Sequence, residues 1–234
     1  MIICGYEKFS MVDYDGNIAC TVFTGGCNFR CPFCHNAPLV IGDLNVEQMD
    51  GEEVFDYLQK RKGLVDAVCV TGGEPTLQPD LAEFLQQVRD MGYKTKLDTN
   101  GLRPDVVEKI LAKGLLDYVA MDVKNSPQKY PLTVGLDSVD ISKIQASIDL
   151  LNASGVDHEF RTTLIKEFHT DEDMLEIAKM VKNTPRYFMQ KYKDIDGCIA
   201  HGYTPVDKAD ALRLFLGTVF HVHAVRHVDL RGYN

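Results

Sequence analysis

Hydrophobic positions along this chain switch repeatedly between a period of two and a period near 3.6, and the switches mark out the elements. Phe9 to Phe23 carries two runs of β-branched and aromatic residues around Asp15-Gly16, a dipeptide suited to the positive φ angles of a tight hairpin. We therefore predict strand, turn, strand, with Ile18 to Phe23 as the first core strand. Val54, Phe55 and Leu58 then recur at helical spacing, and Lys60-Arg61-Lys62 before Gly63 suit a helix carboxyl end. From there the pattern predicts a strand over Ala67 to Thr71, a helix from Asp80 to Met91 and a strand over Lys94 to Asp98. A helix follows Pro104 and ends at Gly114, and Tyr118 to Val123 is a strand. Ile141 to Asn152 is a helix stopped by Gly155, and Glu159 to Leu164 a strand. Thr170-Asp171-Glu172-Asp173 caps a helix through Val181, and Tyr187 to Lys191 supplies the sixth core strand.

Six strands, each joined to the next by a helix, imply an α/β fold with a parallel sheet, either open and doubly wound or curled into a partial barrel. The period alone does not choose between them. No Pro/Gly/Ser-rich linker interrupts the alternation, so one domain over residues 1–234 is expected, with a core of about 18–192 and a C-terminal extension over 193–234. In that extension Lys208 to Leu216 reads as a short helix, and Val219 to Leu230 alternates like a strand. The strand would put His221 and His223 on one face, with His227 further along. With no carboxylate or cysteine beside them, these read as an ordinary polar face rather than a metal site.

Charge narrows the partners. Acidic residues number 34 against 25 basic ones, a formal charge of −9 that repels phosphate backbones and anionic lipid surfaces, so neither nucleic acid nor membrane is an expected partner. No window approaches 18 uninterrupted apolar residues, and the first residues carry no export pattern, which predicts a soluble, cytoplasmic protein. Cysteine usage points to ligands: the count of seven is odd, and three crowd between positions 27 and 34.

Those three form Cys27-Asn28-Phe29-Arg30-Cys31-Pro32-Phe33-Cys34, a C-x3-C-x2-C spacing just after the first core strand. Three thiolates on one loop can converge on a metal, and Thr24-Gly25-Gly26 ahead of them lets backbone pass close by. Three is one short of the four that structural zinc and ordinary electron-transfer clusters use, which suggests an open position where something else binds. His35 would complete a zinc set, but zinc sites pair two separated knuckles and no second knuckle exists here. Thr71-Gly72-Gly73-Glu74-Pro75 stands at the end of the second core strand, where α/β proteins place ligands. Leu97-Asp98-Thr99-Asn100-Gly101 and Met121-Asp122-Val123-Lys124 end the third and fourth. Cys20 and Cys69 sit inside strands as buried thiols, while Cys4 and Cys198 stand alone, so no second cluster is expected.

The cysteine spacing joined to Gly72-Gly73-Glu74 resembles the radical S-adenosylmethionine (radical SAM) enzymes. Gly26 to Asn36, Thr71 to Leu77, Asp98 to Gly101 and Tyr118 to Lys124 look most like the activases of glycyl-radical enzymes, in particular those of anaerobic ribonucleoside-triphosphate reductase. The likeness covers about residues 5 to 192. It implies a partial (β/α)6 barrel with an N-terminal β-hairpin extension. It further implies that Cys27, Cys31 and Cys34 hold three irons of a [4Fe-4S] cluster, the fourth being left for S-adenosylmethionine. Phe33 matches a position beside the adenine, Gly72, Gly73 and Glu74 the segment that meets the methionine amino group, and Asn100 and Arg161 further cofactor contacts. Asp98, Thr99, the Ala120 carbonyl and Asp122 match the ligands of a monovalent cation. The sixth core strand departs from the pyruvate formate-lyase activases, with Gln190-Lys191-Tyr192-Lys193 where those have a histidine.

The activity so implied is reductive cleavage of S-adenosylmethionine to a 5′-deoxyadenosyl radical, which takes a hydrogen from a glycine of a partner enzyme. An electron donor of the flavodoxin or ferredoxin type would supply the reducing equivalent. No side chain need act as acid or base. The alternatives are a pyruvate formate-lyase type client, or a small-molecule substrate such as a deazapurine precursor.

Overall fold

The computed structural model describes residues 1–41, 48–221 and 227–233. The chain falls into two compact units, the first made of Met1–Asn28, Asn36–Thr99 and Asp105–Val119, the second of Phe29–His35, Asn100–Pro104 and Ala120–Asn234.

The first unit carries β1 (Ile3–Ser10), β2 (Ala19–Thr24), β3 (Ala67–Gly72) and β4 (Lys94–Thr99). Its helices are α1 (Ala37–Ile41), α2 (Gly51–Lys60), α3 (Leu81–Asp90) and most of α4 (Pro104–Ala112). β2, β3 and β4 pair in parallel, and β1 lies antiparallel to β2. The β-branched run Ala67-Val68-Cys69-Val70 is buried throughout, as a strand covered on both faces must be. Val54 and Leu58 of α2 and Leu81, Leu85 and Val88 of α3 supply the rest of this core. Asp50 caps α2 by accepting from the Glu52 amide.

The unit boundary falls inside β5 (Tyr118–Asp122). The second unit continues with α5 (Tyr130–Val134), α6 (Ile141–Ser154), β6 (Asp157–Leu164), α7 (Asp171–Met180), β7 (Arg186–Lys191), α8 (Lys208–His221) and β8 (His227–Arg231). β6, β7 and β8 pair in parallel. In the sheet each strand neighbours the next in chain order, β1 to β8. The expected capping box of α7 is present: Thr170 Oγ1 accepts from the Asp173 amide, and Asp173 accepts from the Thr170 amide. A left-handed Gly155 stops α6.

Three expectations change. The hairpin's first strand begins at Ile3 rather than near Phe9, and its connection is an eight-residue loop rather than a tight turn, because Ser10 Oγ accepts from the Val12 and Asp13 amides and breaks the ladder there. The extension adds an eighth strand, but its strand is confined to His227–Arg231. The run from Val219 to His221 is the end of α8, in which the Thr218 hydroxyl donates to the Leu214 carbonyl at 2.8 Å. His221 is therefore helical, not on a strand face, and His223 lies outside the described residues. The short helices α1 and α5 were not expected either.

β8 is tied down by charge as well as by pairing. Glu159 of β6 is buried, and Arg231 of β8 meets both its carboxylate oxygens at 2.6 and 2.9 Å while its guanidinium lies 3.6 Å from the Phe188 ring centre.

Candidate functional site

In the first unit the site begins where β2 ends. β2 and β3 are in register to their tips, Thr24 opposite Gly72, so both strands release their chains at one level. The released backbones then run in contact: the Gly73 amide donates to the Thr24 carbonyl and the Glu74 amide to the Gly26 carbonyl, each at 2.8 Å. Only glycine permits this. A Cβ at Gly73 would stand 1.9 Å from the Gly26 carbonyl oxygen, and Gly72 has φ +114° with the Thr24 amide in its way. The residue directly before Cys27 is thus fixed by the Gly-Gly-Glu turn. Gln78, buried, adds a second tie, its Nε2 donating to the Gly25 carbonyl and its Oε1 accepting from the Ile2 amide, both at 2.8 Å. Asn36 Nδ2 donates to the Gly72 carbonyl from the far side of the cysteine loop.

Glu74 is buried, and its Oε1 accepts from the Thr76 amide, the Thr76 hydroxyl and the Thr99 hydroxyl at 3.0, 2.6 and 2.8 Å. The side chain thereby caps the one-turn helix Pro75–Leu77 and ties it to the tip of β4. Asp98, also on β4, is paired with Lys96 at 2.8 Å. Lys96 is itself buried and holds the Asp13 carbonyl of the hairpin loop at 2.5 Å.

In the second unit, Cys31 is buried and Cys34 half-buried, and the Cys34 amide donates to the Cys31 carbonyl to close a turn. Arg30 docks this loop on α5, its amide donating to the Val134 carbonyl at 2.8 Å, while left-handed Gly135 keeps a Cβ out of the Arg30 carbonyl. Phe33 is buried between the Phe168 and Tyr192 rings at 6.0 and 6.5 Å. Asp122 at the tip of β5 joins two cations, Arg161 Nε and Lys124 Nζ, each at 2.9 Å. Burial alone would raise the Asp122 pKa, but Arg161 and Lys124 hold it well below the usual carboxylate range. Burial likewise opposes the Lys124 charge and is outweighed by Asp122, with Cys31 adding in the same sense, so the ammonium is held above its ordinary value. Asn100, buried, spends its Oδ1 on the Leu102 amide, and the Ala120 backbone lies within β5.

Sequence reasoning found Asp98, Asp122 and Arg161 but not their partners Lys96 and Lys124. Lys96 stands two residues before Asp98 on the same face of β4, and Lys124 two residues after Asp122, just past the end of β5; that spacing was the available signal. Cys20 and Cys69 are buried strand thiols as expected; burial, with Glu7 adding, pushes the Cys20 thiol up to about 12, which keeps it protonated and unreactive.

All seven cysteines carry unbridged thiols. Among the described residues no three His, Cys, Asp or Glu side chains stand together as around a single metal ion. In a [4Fe-4S] cube each protein thiolate binds a different iron, so its ligands are spaced more widely than those of one ion. Cys27 follows Gly26, which the backbone cradle that a Cβ would fill holds in place, and Cys31 and Cys34 follow Arg30, docked on α5; three soft thiols of this kind fit such a cluster. Among the described residues no helix is long and apolar enough to cross a membrane.

Known proteins resemble this chain. A protein of Methanocaldococcus jannaschii, provisionally named a glycyl-radical enzyme activating enzyme, is 36% identical over 83% of this chain and 81% of its own. A pyruvate formate-lyase-activating enzyme of Streptococcus mutans is 29% identical over 80% of this chain and 75% of its own. A 7-carboxy-7-deazaguanine synthase of Methanopyrus kandleri is 26% identical over 82% and 92%. Among solved structures, Streptococcus suis SuiB bound to its precursor peptide SuiA superposes with a TM-score of 0.68 at 20% identity, over 91% of this chain and 48% of SuiB, so the chain spans about half of that protein and shares its fold. The Radical SAM superfamily pattern matches residues 21–181, a stretch that takes in every site segment from Cys27 to Arg161, and the chain therefore belongs to that superfamily of enzymes, whose cofactors are a [4Fe-4S] cluster and S-adenosylmethionine.

Proposed function

We propose that this enzyme is a glycyl-radical-enzyme activase and that its client is an anaerobic ribonucleoside-triphosphate reductase. The reading is carried by the three-thiol loop whose leading residue, Gly26, is bonded to the Gly72-Gly73-Glu74 turn. Similarity to the M. jannaschii and S. mutans activating enzymes supports the activase class, and the motif likeness over Gly26–Asn36 and Tyr118–Lys124 supports the reductase as client.

Bound together, the two cofactors supply one-electron cleavage of a sulfonium bond and, from it, abstraction of a glycine Cα hydrogen. The chain's own residues bind and orient. Cys27, Cys31 and Cys34 would hold the cluster, three thiolates leaving one iron for S-adenosylmethionine. Gly72 and Gly73 bring the backbone to the methionine end, while buried Glu74 holds the turn in shape through Thr76 and Thr99. Arg161 and Lys124 offer positive charge to the cofactor carboxylate, with Asp122 keeping both in place. By the resemblance, Asp98, Thr99, the Ala120 carbonyl and Asp122 are the hard oxygen donors that a monovalent cation would take. By the resemblance, Phe33 and Asn100 would contact S-adenosylmethionine, Phe33 at its adenine. No proton transfer is asked of His35, Glu74 or Lys124.

A flavodoxin- or ferredoxin-type donor supplies the electron. The cytoplasm is the site of action, a reducing compartment that suits seven unbridged thiols. The test is anaerobic mixing of reduced protein, S-adenosylmethionine and the anaerobic reductase of the same organism. The expected result is a glycyl electron-paramagnetic-resonance doublet that collapses when the glycine Cα is deuterated. A doublet only with a pyruvate formate-lyase type partner overturns the client, and no doublet with any protein partner overturns the activase reading.

A further inference from the structure

The segment that follows β7 belongs to neither a strand nor a helix, yet it is ordered by contacts to the cysteine loop. The Ala200 amide donates to the Pro32 carbonyl at 2.7 Å and the Ile199 amide to the Cys34 carbonyl at 3.2 Å. His35 Nε2 donates to the Lys193 carbonyl at 2.8 Å, and the imidazole stacks on the Tyr192 ring at 6.0 Å. Gly197 passes so close that a Cβ there would lie 2.5 Å from the His35 carbonyl oxygen. The segment is closed on itself at its base, since Asp194 accepts from His201 Nδ1 at 2.6 Å and from the Gly202 amide at 2.8 Å. Cys198, which sequence reasoning left standing alone, is buried inside this closed segment with its Sγ 3.9 Å from the Tyr192 hydroxyl.

These contacts have one target. They take hold of the loop at Pro32, Cys34 and His35, on both sides of the last cysteine and within one residue of the Cys31 turn. The carbonyls of the loop are what the segment engages. Such an arrangement fixes the peptide planes that aim Cys31 and Cys34, the way outer partners orient the ligands of a metal.

We propose that Lys193–Ala200 is a retaining strap for the cysteine loop, with Gly197 and His35 as its positioning residues, and that it sets how long an iron–sulfur cluster stays bound. The inference rests on reading that loop as the cluster site. Releasing the strap's hold on the loop corresponds to roughly tenfold faster cluster loss.

The experiment uses the full chain, reconstituted anaerobically, with iron and sulfide counted per chain and cluster loss then followed by visible absorbance under excess chelator. Gly197→Ala and His35→Ala should load as the parent protein does and lose the cluster roughly tenfold faster, while the metal-free protein still unfolds in one cooperative transition. His35→Gln, whose amide can donate to the same carbonyl, should restore slow loss. Gly5→Ala, where a Cβ meets nothing within 4 Å, should behave as the parent. If Gly197→Ala does not fold, the His35 pair decides. Loss at the parent rate in His35→Ala, or no rescue by glutamine, overturns the strap. Failure of the parent protein itself to take up iron and sulfide overturns the cluster site instead, so the two failures are told apart.

Discussion

Replacing Gly73 with alanine asks whether the Gly-Gly-Glu turn is bound to the cysteine loop as tightly as its geometry says. The added Cβ would stand 1.9 Å from the Gly26 carbonyl oxygen and 2.7 Å from its carbon, both backbone atoms, against an ordinary contact of 3.4–4 Å. Nothing flexible can turn aside, so one backbone must retreat by about 1.5 Å. Two hydrogen bonds span that gap, Gly73 to Thr24 and Glu74 to Gly26, both 2.8 Å, and a retreat of this size takes them past bonding distance. At about 0.5–1.5 kcal/mol each, the loss is about 1–3 kcal/mol of folding stability. For a chain of this length a thermal melt falls by roughly 2–4 °C for each kcal/mol. The φ of Gly73 is not in the left-handed region, so the effect is one of space and not of backbone preference. The assay is thermal and urea unfolding of the metal-free protein under nitrogen, followed by iron and sulfide content after reconstitution. Gly5→Ala serves as the comparison. An alanine variant that melts with the parent and loads a full cluster would refute the reasoning.

Other outcomes follow from the same geometry. Alanine at Cys27, Cys31 or Cys34 should abolish the charge-transfer absorbance of reconstituted protein, whereas alanine at Cys4, Cys20 or Cys69 should leave it; full cluster content in Cys31→Ala would sink the site. Asp122→Ala should weaken S-adenosylmethionine binding and its response to added monovalent cations while sparing the cluster, and unchanged affinity by calorimetry would count against the proposed cation. Arg231→Ala strands the buried Glu159 carboxylate and should cost about 3–5 kcal/mol in urea unfolding, with Glu159→Gln in the same chain recovering part of it. Burial lowers the pKa of His158 and His169 below the ordinary value near 6.5, so the unfolded chain takes up protons first. Stability should therefore be full above about pH 6.5 and fall as pH drops below it, and His169→Gln should flatten that fall; a melt independent of pH between 7.5 and 5.5 would contradict it.

Much of this was legible in the chain because the signals are local. The apolar run Ala67-Val68-Cys69-Val70, the Thr170/Asp173 capping box and the glycine stops Gly92, Gly114 and Gly155 each depend on residues within a few positions. The cysteine spacing is likewise local. What could not be read depends on register across the sheet. Glu159 meets Arg231 two strands away, and Asp122 meets Arg161 on the next, pairings no period reveals. Val219 to His221 was read as strand because β-branched and aromatic residues favour it, but the turns before it, with Leu214 and Thr218 buried on one side, carry the helix through. Glu74 also has a structural part that no spacing announces, its Oε1 being engaged by its own turn and by Thr99.

The strap also has a consequence for biogenesis. Cys34 and its tether at Ile199 are separated by about 165 residues, which a ribosome working at roughly 5–20 residues per second takes on the order of 8–33 s to add. Throughout that interval the three thiols have left the exit tunnel without the segment that aims two of them. Loop closure over so long a stretch is also entropically late, since the intervening strands must pair before the ends meet. On the strap proposal, keeping a cluster belongs to the finished polypeptide, and an enzyme truncated after β7 would have its ligands and yet lose what they bind.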